Sequence, residues 1–227
     1  MAGSQVDEPQ QAEWRLCHES DLDVCRNRVT AWVHGSGSGR AERRVAISFN
    51  GKDLTGWKKN GDEKWVVDNG TILCESTANK YGYLTTEKTY RDFDLRLKFK
   101  GETEGNSGLF LRAQITGANP EHGPDIEGMQ VEIDPGAGKH TGGLYESGGR
   151  GWVIMPTPEG ERALNPGEWN DLEASVSGNH IVIHLNGVQV TDYTDATPKF
   201  SDGVIALQIH TGGGVKMRWK DIAIKEK

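Results

Sequence analysis

From Val45 onward the chain predicts an all-β domain, a jelly-roll sandwich of two antiparallel sheets. Three observations carry this. Short period-two runs recur along the sequence, glycine-rich turns separate them at regular intervals, and no long segment has the 3.6-residue period of a helix.

The elements follow in order. "WVVD" and "TILCES" flank Asn69-Gly70, and "HIVIHL" and "VQVTDY" flank Asn186-Gly187. Both dipeptides tolerate the positive φ angles of a two-residue type I′ turn, so each pair predicts a hairpin. In "DFDLRLKFKG", Phe93, Leu95, Leu97 and Phe99 alternate with Asp94, Arg96, Lys98 and Lys100, the pattern of a half-buried antiparallel strand. Further strands are expected at "NSGLFLRAQI", "MQVEID", "WNDLEASVSG", "GVIALQIH" and "VKMRWKDIAI". Roughly a dozen strands result, enough for two packed sheets.

Composition changes near residue 45. Residues 1–44 are polar and charged and contain "HGSGSGR", which reads as a linker, so they are expected to form a leader outside the domain of residues 45–227. The first thirty residues lack the basic, apolar and small-residue series of a secretory signal, and no apolar run has the length of a membrane span. Across 227 residues, 26 basic and 33 acidic side chains give a net charge of −7. That balance repels phosphate backbones and anionic lipid, so neither nucleic acid nor membrane insertion is expected. Cys17, Cys25 and Cys74 do not make a disulfide framework, and no CxxC pair suggests a zinc site.

The chemistry-bearing stretch is "GMQVEIDPGAGKHTGGLYESGG". Met129, Val131 and Ile133 alternate with Gln130, Glu132 and Asp134, so the three polar side chains share one face. A Glu-x-Asp-x-Glu pattern of ordinary glycoside hydrolases is incomplete in either register, because Gly136 or Gln130 stands where a carboxyl is required. Two further strands bring polar groups beside apolar faces: Arg112 and Gln114 share the parity of Phe110, and Gln208 shares that of His210. Tyr145 and Trp152 are candidates to stack on sugar rings. His122 and His140 flank the acidic strand, which makes a divalent cation conceivable, but no ligand spacing supports one and no cofactor is identified. No Walker, GxSxG, HExxH or GxGxxG pattern occurs.

Five blocks, in order, resemble one family: "FNGKDLTGWK"; "DFDLRLKFKG" with "GNSGLFLRAQ"; "GMQVEIDPGAGKHTGGLYESGGRGW"; "GEWNDLEASVSGNHIVIHLNGVQV"; and "GVIALQIHTGGGVKMRWKDIAIKE". They are similar to the 3-keto-disaccharide hydrolase family, long catalogued as a domain of unknown function, over about residues 47–227. The resemblance implies a concanavalin-like jelly roll and cleavage of 3-keto-glycosides, with an oxidised glycoside or other carbohydrate as partner. It also implies export to the periplasm or beyond. Many members carry Glu where Gln130 stands and Gln at the position of Glu132, so this chain has a variant arrangement. The reaction needs a base for the proton on C2, a donor for the enolate oxygen and an acid for the leaving oxygen. The expected roles are Glu132 or His210 as base or acid, and Arg112 and Gln208 as donors. Gln130 is expected at the substrate, Asp134 to orient a hydroxyl, and His140, Tyr145 and Trp152 at the rim. A non-catalytic carbohydrate-binding module and an ordinary glycoside hydrolase are the alternatives.

Overall fold

The computed structural model describes residues 45–136 and 138–227. The leader expected over residues 1–44, with Cys17 and Cys25, lies outside the described residues. Strands are numbered along the chain. One sheet has the order β10 (Gly151–Ile154), β9 (Leu144–Ser147), β8 (Gly123–Ile133), β7 (Ser107–Asn119), β14 (Val204–Ile209), β5 (Gly82–Thr86) and β2 (Trp57–Asn60). The other has the order β13 (Val188–Thr194), β12 (His180–Leu185), β11 (Asn170–Ser177), β6 (Phe93–Gly101), β15 (Lys216–Glu226), β4 (Thr71–Glu75) and β3 (Lys64–Asp68), with β1 (Val45–Ile47) also pairing β15. Neighbouring strands are antiparallel throughout, and the architecture is the jelly-roll sandwich that the periodicity predicts.

The core lies between the sheets. Phe93, Leu95, Leu97 and Phe99 of β6 are buried against Leu109 and Leu111 of β7, Val131 and Ile133 of β8, and Ile205, Leu207 and Ile209 of β14, all in one cluster. Each such side chain contributes about 1.5–3 kcal/mol by leaving water. Both Asn-Gly turns close hairpins, with Asn69 and Gly70 at φ 49° and 75°, and Asn186 and Gly187 at 51° and 81°. A short helix unforeseen in the sequence, α1 (Pro158–Glu161), starts where Thr157 Oγ1 accepts the Gly160 N–H at 3.0 Å. Among the described residues no helix is long and apolar enough to cross a membrane.

The β7–β8 hairpin departs from its expected length and path. Both strands run further than "NSGLFLRAQI" and "MQVEID", and bulges interrupt their pairing between Leu111 and Gln114 and between Ile115 and Gly117. Arg112 (φ 50°) and Gly128 (φ 143°) face each other across the first bulge, and a β-carbon on Gly128 would lie 2.9 Å from Ala113 Cα. Bulges bend strands. The far half of the hairpin therefore doubles back over the sheet's outward face. There Ile126 and Ala113 form a second apolar cluster with Tyr83, Phe110 and Ala206. The hairpin tip is tied down where Tyr81 N donates to His122 O at 2.8 Å and Lys80 Nζ to Pro120 O at 2.5 Å.

Candidate active site

Residues directly opposed in an antiparallel sheet point to the same side, so register alone builds the site. Glu132 stands across from Gly108, Gly108 from Gln208, Gln208 from Tyr83, and Tyr83 from Asn60. One step along, Trp152, Tyr145, Gln130, Phe110 and Ala206 form a second row on the same outward face. A step the other way, His210 N donates to Asn106 O at 3.3 Å. The apolar members of the second row are those the hairpin arm covers, which leaves its polar neighbours as the floor of the candidate site.

Glu132 is the chemical centre of that floor. It is 5% exposed, and its hydrogen-bond partners are amides: Asn106 Nδ2 donates to Oε1, and Gln130 Nε2 donates to Oε2 at 2.9 Å. Burial pushes its carboxyl up to about 7, the Asn106 amide opposes that, and the nearby Asp134 charge adds to it. A carboxyl of this kind exchanges protons near neutral pH. Asn106 Oδ1, at the same spot, is buried and has no hydrogen-bond partner.

The amides continue across the sheet because one position has no side chain. Gln130 lies over Gly108, and its Nε2 approaches Ser107 O and Gln208 Oε1, both at 3.4 Å. Gln208 in turn bonds the Tyr83 hydroxyl, whose pKa burial raises. Beside this line sits His210. Its Nδ1 approaches Thr211 O at 2.9 Å and its Nε2 lies 3.3 Å from the Tyr81 hydroxyl. A carbonyl only accepts, so Nδ1 carries the proton and Nε2 is the bare nitrogen that accepts from Tyr81.

The rim is aromatic. Trp152, 40% exposed, meets Tyr145 at 5.5 Å and His140 at 5.4 Å between ring centroids, each edge to face. His140 is held at φ 68° with Nδ1 2.5 Å from Glu161 Oε1 of α1. Asp134 lies just past the end of β8, where its Oδ1 accepts the Gly136 N–H at 2.9 Å; it acts on Glu132 through its charge.

Arg112 is not brought to this cluster, which corrects the sequence expectation. The bulge breaks the parity with Phe110, and the guanidinium, on a residue 7% exposed, turns to the end of the sandwich. There it donates to Arg91 O, to Gly178 O at 2.6 Å and to Asp92 Oδ1 at 2.9 Å. Three of its five N–H groups are thus held by the chain, away from Glu132. Gln114, beyond the bulge, is exposed.

Three residues were missed from the sequence. Tyr81 occupies a loop next to a strand, so no strand period marks it, whereas Asn106 shares the parity of Phe110 in "NSGLFLRAQI", the signal that could have found it. Glu63 was hidden by its charge, which normally means surface. It is buried, and its carboxylate accepts backbone N–H groups of Thr77, Ala78 at 3.0 Å and Lys80 at 2.7 Å, fixing the loop that presents Tyr81.

A jelly-roll face that sets one buried carboxyl among amides and ends in an exposed tryptophan is the layout of a carbohydrate-active protein. The chain belongs to the family described as the 3-keto-alpha-glucoside-1,2-lyase-like domain, whose model matches residues 46–225. The 3-keto-disaccharide hydrolase of Bacteroides thetaiotaomicron is 23% identical over 181 residues, covering 68% of this chain and 60% of that protein. The chain thus spans about three fifths of that relative. Among solved structures, a candidate glycosyl hydrolase from Parabacteroides distasonis is 21% identical with a TM-score of 0.59, over 82% of this chain and 95% of that one. The carbohydrate-binding module CBM66 from Bacillus subtilis is 15% identical with a TM-score of 0.53, over 75% and 96% respectively. At these identities the solved structures speak for the fold alone.

Proposed function

We propose that the chain cleaves 3-keto-glycosides by elimination followed by hydration. The observation that carries this is Glu132, a buried carboxyl whose pKa lies near 7 and whose partners are amides rather than cations. A ketone at C3 acidifies the proton on C2. The Glu132 carboxylate takes that proton, the C–H electron pair forms an enolate, and its collapse makes the C1–C2 double bond and expels the aglycone oxygen from C1 with its bonding pair. Water then adds to C1 of the enone and a proton returns to C2, so the net change is hydrolysis. Gln208 offers an N–H group for a substrate oxygen as charge develops there, and Gln130, at the substrate's edge, holds the Glu132 carboxylate in place. The Tyr81 and His210 pair is placed to move a proton to the leaving oxygen. An incomplete set of carboxyls suits this route, since no carboxyl pair has to flank the glycosidic bond.

The exposed edge of Trp152 favours a second reading, a carbohydrate-binding module on the same face, which the likeness in fold to CBM66 also accommodates. One experiment separates them: incubation with a 3-keto-glucoside and with its unoxidised parent, following aglycone release. Release from the oxidised compound alone is expected. Release from both would make the protein an ordinary glycoside hydrolase, and release from neither, with measurable binding, would make it a binding module.

A further inference from the structure

Past His140, which packs edge to face on Trp152, lies a groove of about 710 Å³, lined by His140, Met155, Pro156, Pro158, Leu164 and Pro166, with Glu161 and Arg162 at its side. Its volume is that of a ligand site rather than of a packing defect. Its surface is unusual for this molecule. Among the described residues only three large hydrophobic side chains are exposed; one of them, Met155 at 44%, lines this groove, and another, Trp152 at 40%, packs on its His140.

Its chemistry is unlike that of the floor around Glu132. The Glu161 carboxylate already holds both the ring and the backbone N–H of His140, at 2.5 and 3.3 Å. The prolines supply no N–H groups and Leu164 and Met155 supply only apolar surface. A sugar, which is edged with hydroxyls, would find polar partners only along the Glu161 and Arg162 side; a flat apolar ring would find matching surface in Met155, Leu164 and the prolines. Position fixes which part of a substrate reaches it. Trp152, Tyr145 and Gln130 are successive neighbours across the sheet, next to Glu132 on β8. With strands about 4.8 Å apart, Trp152 stands two strands, roughly 10 Å, from Gln130, within the reach of a ring joined to the glycosidic oxygen by a short linker.

We infer that this groove is the aglycone subsite and that it takes an aromatic aglycone, one carrying a planar apolar ring a short distance from the glycosidic oxygen. The inference rests on the reaction proposed above. Trp152 forms the boundary between the sugar and aglycone sides, with Met155 and Leu164 covering the ring.

The test uses a matched pair, the 3-keto-glucosides of 2-phenylethanol and of ethanol, whose leaving alcohols are of similar reactivity and differ by the ring. The phenylethyl compound should have a KM about tenfold lower, the gain from burying part of one phenyl face. In Met155→Ser, which changes an exposed side chain and should melt like the parent, the two KM values should draw to within about threefold of each other. Equal KM values in the unsubstituted protein, with both compounds cleaved, overturn the aromatic subsite and leave the proposed chemistry standing. A still lower KM for a 3-keto-disaccharide than for the phenylethyl compound would show a sugar in the groove and overturn it equally. Failure to cleave either matched compound refutes the chemistry itself, and the aglycone assignment goes with it.

Discussion

Gln130 lays its amide across Gly108, with Nε2 2.7 Å from the place a β-carbon on that glycine would occupy. Gly108 does not need its glycine for a left-handed turn, since its φ is not positive; it is needed as empty space. Gly108→Ala should push the flexible end of Gln130 aside and separate it from Glu132 and Gln208. Turnover of a 3-keto-glycoside should fall by roughly 10- to 100-fold, while stability falls by about 1–2 kcal/mol, because Gln130 Nε2, Cδ and Cγ must all shift but no backbone stands in the way. Thermal melting beside kcat/KM checks both. An unfolded or strongly destabilised variant would mean that Gly108 serves packing.

Glu132→Gln keeps the shape of the side chain and removes its proton exchange. The unpaired Asn106 Oδ1 gives the new amide an acceptor once the Asn106 side chain turns over, so the site should stay folded. Turnover should fall by roughly 10² to 10⁴ with substrate binding little changed. His210→Gln should show a defect of its own, and the double variant should be little worse than the poorer single one if the two act as a unit. Near-normal turnover by Glu132→Gln would reduce the β8 face to a substrate-facing surface.

The same carboxyl makes two pH dependences. As a base it must be ionised, so kcat/KM should rise with pH up to about 7 and then level, and that limb should vanish in Glu132→Gln. For stability the sign is opposite. The folded carboxyl holds its proton to about 7, whereas an unfolded chain releases it near about 4.3, so its burial weakens the fold as pH rises through that window. Melting curves of Glu132→Gln and the parent should nearly coincide at the acid end. By pH 8 the variant should be the more stable, by an amount on the order of 3 kcal/mol.

Arg112 should behave as a structural pin. Arg112→Met strips donors from two backbone carbonyls and a cation from Asp92, and should cost about 2–4 kcal/mol. At this chain length that is a drop of roughly 5–15 °C in Tm. Measured below the new transition, kcat/KM should stay within about threefold of the parent. A large loss of kcat at unchanged Tm would return the guanidinium to the reaction.

What the sequence made legible is what neighbours along the chain decide. Alternation in "DFDLRLKFKG" gave the buried face of β6, and two Asn-Gly pairs gave their hairpins, because turn chemistry and strand period are local. Parity also set Gln130 and Glu132 side by side correctly. It failed at Arg112, where an inserted residue reversed the face, and the partner glycine that accommodates the bulge lies sixteen residues away. Tyr81 reaches the site only through register between strands distant in sequence, which no local period encodes; parity puts Asn106 on the face of Phe110 but does not say that Glu132 is its neighbour. The carboxyl of Glu63 gave no sign that it faces backbone N–H groups of a loop fourteen to seventeen residues on.

The doubled-back hairpin makes a single stretch, Ser107 to Ile133, both floor and wall of the candidate site. The floor belongs to a sheet whose register the main core fixes, whereas the wall ends in a short turn between Asn119 and Gly123 that is hydrogen-bonded to the Tyr81 loop. Lengthening or trimming that turn alters how far the wall reaches without shifting the row that carries Glu132. Substrate range and reaction chemistry are therefore separately adjustable in this fold: a few residues gained or lost at one loop retune the first while the second is inherited intact.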